Sequence, residues 1–136
     1  EMIIVIVLIA IIGSFAIPKF TNMSYKANIL TLKSQLALIQ NGIINQKRKN
    51  ILLSNIQEII SLDDATQNSS GEKLFDKVID FMIISTDNSK KESAKWAKLS
   101  NNSYIFYIQN DKSVLFSFED GKFLCKSEAE LCKEIE

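Results

Sequence analysis

Few residues in this chain are equipped for chemistry, and their spacing limits which chemistry that is. Histidine is absent, which removes the usual general base at neutral pH and the commonest metal ligand. Cys125 and Cys132 stand close together near the end of the chain. Two thiolates without histidine do not fill a tetrahedral zinc site, so they read either as a bridging pair or as two reduced thiols. Asp111, Glu119 and Asp120 offer oxygens, but no calcium-loop spacing links them. Glu119 and Asp120 beside Gly121 read as a solvated hairpin tip. Lys47, Arg48 and Lys49 are adjacent and form the candidate anion contact; the plainer reading is a solvated helix end. There is no glycine-rich phosphate loop and no nucleophile–base pair. No metal and no cofactor are expected, and enzyme is the weakest class. That leaves Glu1, a lone carboxylate at the edge of the greasy run "EMIIVIVLIAIIGSFAIPKF".

The element that carries Glu1 is the most legible in the chain. Residues 2–17 hold eleven Ile, Leu, Val or Phe, worth roughly −5 kcal/mol for insertion into a bilayer, against about +3 kcal/mol for a carboxylate at mid-membrane. Sixteen residues of helix span about 24 Å, short of a hydrocarbon core of about 30 Å, so a few residues upstream of Glu1 are expected to complete the span. A cleaved signal peptide has a similar length, but "GSFAIPKF" is a poor cleavage site. A plain single-pass anchor is a second reading. A buried core helix is disfavoured because the run is apolar all round. Pro18 removes a helical N–H and crowds the preceding turn, and Gly13 has weak helix propensity. Together they mark a soft point or a static kink.

Charge divides the remainder. The whole chain of 136 residues is formally neutral, yet residues 1–50 carry a net +5 and residues 51–136 a net −5. This is a basic rod followed by an acidic head, an arrangement that permits contact between neighbouring copies. Ile29, Leu32, Leu36, Ile39 and Ile43 recur at helical spacing, one apolar stripe on a helix expected to run to about residue 49. "QKRKN" complements the helix's negative end. Ser54 with Gln57, and Ser69 with Glu72, predict caps of two short helices, and "STDNSKKES" predicts a charged linker. The period then changes to two. Tyr104, Phe106 and Ile108 alternate with Ile105 and Tyr107; Val114, Phe116 and Phe118 alternate with Leu115, Ser117 and Glu119. "KFLCK" makes a third strand, and Asn110-Asp111 and Asp120-Gly121 supply the turns. The expected fold class is α+β: a long kinked N-terminal helix, apolar then amphipathic, packed against a small antiparallel β-meander. Its expected parts are the apolar segment 1–18, the amphipathic continuation 19–50, a helical and loop region 51–100, and the meander with a cysteine loop at 101–136.

The opening run resembles the N-terminal signature of type IV pilins and type II secretion pseudopilins. Glu1 matches the family's glutamate, Gly13 a helix glycine, and Pro18 with Lys19 and Phe20 the closing motif. The resemblance implies the same long-helix-and-meander fold. It implies a short basic leader ending in Gly, cleaved by a prepilin peptidase, with the first mature residues upstream of Glu1. Glu1 then pairs with a neighbouring subunit's N-terminal amine and sets the register of a filament, so Glu1→Ala is expected to block assembly while sparing insertion and folding. The implied partners are other copies of the chain, other pilin-like subunits and an inner-membrane assembly platform. The head then lies outside the cytoplasm, where oxidants favour a Cys125–Cys132 bridge. The implied role is a structural subunit in secretion or DNA uptake, with direct DNA binding disfavoured by the acidic head. The alternative class is a membrane-tethered binding module that never polymerises.

Overall fold

The computed structural model describes residues 2–55 and 57–136. One helix, α1, runs from Met2 to Leu52, about 76 Å at the ordinary rise. Two two-residue strands follow, β1 (Lys73–Leu74) and β2 (Ile83–Ile84), paired antiparallel. A four-stranded antiparallel sheet of β3 (Lys95–Ser100), β4 (Ser103–Gln109), β5 (Lys112–Glu119) and β6 (Lys122–Cys125) comes next, its strands ordered as in the chain. A short helix, α2 (Ala129–Ile135), closes the described chain. The α+β, pilin-like plan of one long kinked helix against a small meander is therefore observed.

The packing follows the two periodicities. All five residues of the rod's predicted stripe, Ile29, Leu32, Leu36, Ile39 and Ile43, are buried. They meet the inward face of the sheet, where Tyr104, Phe106, Ile108, Val114, Phe116 and Phe118 are buried as the alternation requires. Aromatic rings fill the space between: Trp96 packs edge-on to Phe75 and Phe106, and Phe123 stacks on Phe116. Polar ties fix the rod's rotation and height. The indole N–H of Trp96 donates to Gln35 Oε1 at 2.7 Å, and Asn28 Nδ2 donates to the Ile108 carbonyl at 2.7 Å. Asp120 and Gly121 both take positive φ, 51° and 69°, the signature of a two-residue type I′ hairpin between right-twisted strands.

Three local expectations are corrected. Neither short helix forms: Ser54 has φ 53° and leads into irregular chain, and the Ser69–Glu72 stretch leads into β1. Ile56, placed in the first of these helices, lies outside the described residues. The reason is tertiary. Phe75, at φ 60°, turns its ring into the aromatic core, and Asp63 captures its backbone N–H at 3.0 Å, so the cap-like pattern is overridden. The third correction is an extra strand. "KWAKLS" pairs with β4 as β3, although its two lysines hide the strand pattern.

Candidate assembly face

The apolar opening of α1 is unburied along its whole length. None of Met2 through Ile17 is buried, and an 18-residue window there has a mean hydropathy of 2.6. The helix is long and apolar enough to cross a membrane. Gly13 has open space around it, so no packing within the chain requires a glycine there. At Pro18 the rod lacks one main-chain donor. The hydroxyl of Ser14 donates to the Ile11 carbonyl at 2.7 Å and that of Thr21 to the Pro18 carbonyl at 3.0 Å. These side-chain bonds bracket the weak turn. Glu1 lies outside the described residues, and its predicted pairing with it.

Beyond Pro18 the rod carries a second apolar series that the helical reading above does not contain. Met23, Leu30, Ala37, Ile44 and Ile51 recur every seven residues, and all are exposed. They lie on the solvent side, on average about 120° around the helix from the buried stripe. Met2, Ile9 and Ala16 continue the same register backward into the apolar segment. The sign was present in the sequence as a seven-residue recurrence, the spacing of helix–helix seams. It is hard to see because the 3–4 spacing of the core stripe overlies it. Lys19, Lys26, Lys33 and Arg48 fall on the same side, within an arc of about 60°. No Asp or Glu occurs anywhere in Met2–Leu52.

The three adjacent cations are not brought together as a site. Arg48 and Lys49 are exposed, while Lys47 is half-buried and its end lies against Gly121 at the β5–β6 turn, where a methyl group would collide with it. A cavity of about 710 Å³ opens there between the end of α1, Asn55 with Gln57 to Ile60, and the hairpin. The carboxylates considered for calcium are likewise separated, with Asp111 at one end of β5 and Glu119–Asp120 at the other. Glu119 accepts from Lys126 Nζ at 2.9 Å and from Ser117 at 2.8 Å, and these bonds hold its carboxyl below the usual glutamate range. Among the described residues no group of three or more His, Cys, Asp or Glu is placed to hold a metal.

Cys125 and Cys132 are bridged, with Cα atoms 5.8 Å apart. The bridge ties α2 to the end of β6, and α2 sets Ile135 into the core. Tyr25 on the rod donates to Glu134 at 3.4 Å, so α2 sits at the level of Tyr25, at the end of the head nearest the apolar segment.

A polar centre that sequence reasoning missed lies inside the head. Asp63 is buried and accepts four hydrogen bonds: from Lys98 Nζ at 2.6 Å, the Tyr104 hydroxyl at 2.9 Å, and the backbone N–H groups of Phe75 at 3.0 Å and Ala65 at 3.1 Å. Lys98 is 4% exposed. Burial, then the Asp63 charge, pushes the Tyr104 phenol well above its ordinary value. Every oxygen is satisfied and solvent is excluded, so the group clamps the 63–75 segment to β3 and β4. The chain matches no protein-family model, no curated protein and no solved structure.

Proposed function

We propose that this chain is a structural subunit that anchors in a membrane by its apolar segment and polymerises into a pilin-like filament. The carrying observation is the apolar series on α1, none of it buried, which runs from Met2 to Ile51 through the membrane-length segment and along the head-bearing half. A plain anchor needs only the first 17 residues; an apolar seam continuing beyond it needs another helix to cover it. In this reading Glu1 sets the register between copies, because a carboxylate in lipid is tolerated when paired. Gly13 and Pro18 supply a yielding turn under axial load. The chain is processed by a prepilin peptidase, held at the bacterial inner membrane with the head outside the cytoplasm, and assembled with other pilin-like subunits on a membrane platform. The machine it serves performs secretion or DNA uptake. Its work is mechanical and not enzymatic.

The test is crosslinking of full-length chains in the membrane through two cysteines, placed at Ile9 and Ala16 and too far apart on the helix to bridge each other, so that each chain can bond more than one neighbour. Ladders of subunits are expected under oxidation. Monomers alone would overturn the assembly reading and favour a tethered binding module.

A further inference from the structure

The outer face of the rod is an unusual counter-surface, because it is apolar and basic together. Met23, Leu30 and Ala37 are interleaved with Lys26 and Lys33, all of them exposed. Among the described residues, none of the six rod cations pairs with a carboxylate of its own chain: the ion pairs are Lys77–Asp64, Lys95–Glu92, Lys98–Asp63 and Lys126–Glu119, all within the head. Two such faces laid against each other in register would bring lysine against lysine with no acid on either rod. The covering surface must therefore be acidic.

The acidic surface available on a second copy is its head, and its densest part is α2 with its flanks. Glu128, Glu130, Glu134 and Glu136 fall there with Lys133 as the one cation from 127 to 136, and all four glutamates are exposed. The lengths agree. Lys26 and Lys33 are about 10 Å apart along the rod, and Glu128 to Glu134 covers about 9 Å of helix. We infer that the Lys26–Lys33 face of one copy is the docking site for α2 of the next, glutamates against lysines. The inference rests on the assembly reading above and gives it a partner surface and a register. Because α2 lies at the level of Tyr25 on its own rod, docking midway between Lys26 and Lys33 offsets neighbouring copies by about 7 Å along the axis. The disulfide then has a second consequence: it holds the acidic helix at a fixed height for the neighbour to meet.

The experiment uses full-length chains in membranes, half of them isotope-labelled, treated with a carbodiimide that joins only a lysine and a carboxylate already in contact. Mass spectrometry should find mixed-label links from Lys26 or Lys33 to Glu128, Glu130 or Glu134. In parallel, Lys26→Glu/Lys33→Glu and Glu128→Lys/Glu130→Lys should each weaken the Ile9→Cys/Ala16→Cys ladder by about tenfold or more, and the combined chain should recover to within about threefold of wild type. The matching Gln variants, which disturb the fold less, should show the loss without reversal. Ladders that persist unchanged in both reversals, with no mixed-label links, overturn the docking while leaving assembly standing. Loss in the lysine variant that no head reversal rescues also overturns it, and assigns the face to an anionic lipid or a nucleic acid. Absence of ladders in the wild type removes the assembly reading and the docking with it.

Discussion

Asp63 shows how much a single side chain can organise. It joins a lysine on β3, a phenol on β4 and two backbone donors in the irregular segment, all out of water. Breaking a buried ion pair from one side costs about 3–5 kcal/mol, because the surviving charge is left unpaired. Asp63→Asn should therefore lower unfolding free energy by that amount in denaturant titration, whereas Asp63→Asn combined with Lys98→Met should recover a large part of it. Equal losses in the single and double variants would mean that the pair contributes nothing beyond shape. The same centre sets an alkaline limit. Tyr104 keeps its proton in the folded state well above the ordinary tyrosine value of 10.0, while the unfolded chain releases it near that value. Below pH 10 both states hold the proton and the contribution is intact. Above it the unfolded state binds fewer protons, so stability falls as pH rises. Tyr104→Phe should flatten this alkaline limb of a stability–pH curve while lowering stability at neutral pH.

At the scale of elements, the close approach of α1 to the irregular segment depends on Gly42. A methyl group there would sit 2.9 Å from the carbonyl carbon of Val78 and closer still to its oxygen. Alanine ordinarily favours a helix over glycine by about 1 kcal/mol, but here Gly42→Ala should destabilise the head by about 1–3 kcal/mol, since main chain must move. A thermal melt that rises would refute the contact. The bridge to α2 is a second lever. A helix of seven residues does not hold alone, and closing so small a loop is worth about 2.5 kcal/mol on the chain-entropy model; Cys125→Ser should lose about that and free α2. These elements also show what the sequence disclosed. The rod, the five-residue stripe, the β4–β6 meander and its Asp120-Gly121 turn could be read because each expresses one periodicity over many residues. The 51–100 region could not: Phe75 and Asp63 take their conformations from partners far along the chain. Lys95 and Lys98 masked β3, although Lys98 is an inward residue whose charge is met by Asp63. The candidate site was half legible, its apolar start plain and its seven-residue outer series concealed beneath the core stripe.

The whole molecule divides its labour at Pro18. Everything that folds the head lies on one side: the buried residues of α1 begin at Ile29, and the rod residues tied to the head by side-chain bonds begin at Thr21. Among the described residues, Met2 to Ile17 on the other side bury nothing within the chain. Exposed apolar surface contributes to stability only when something covers it, so the first 18 residues add nothing to the fold of a single copy. A chain beginning at Lys19 should therefore be soluble and monomeric, with a melting temperature within about 2 °C of the detergent-solubilised full chain. Its disulfide should form as before, and protease resistance of the head should be unchanged. Its first helical turn should fray, because the four leading N–H groups lose their partners, but that turn precedes the buried stripe. What the short chain should lose is membrane attachment and assembly together. Collapse of the head on removal of 1–18 would make the apolar segment part of the fold and end the division at Pro18. Assembly by the short chain in solution would shift the driving contact from the apolar segment to the rod's outer face.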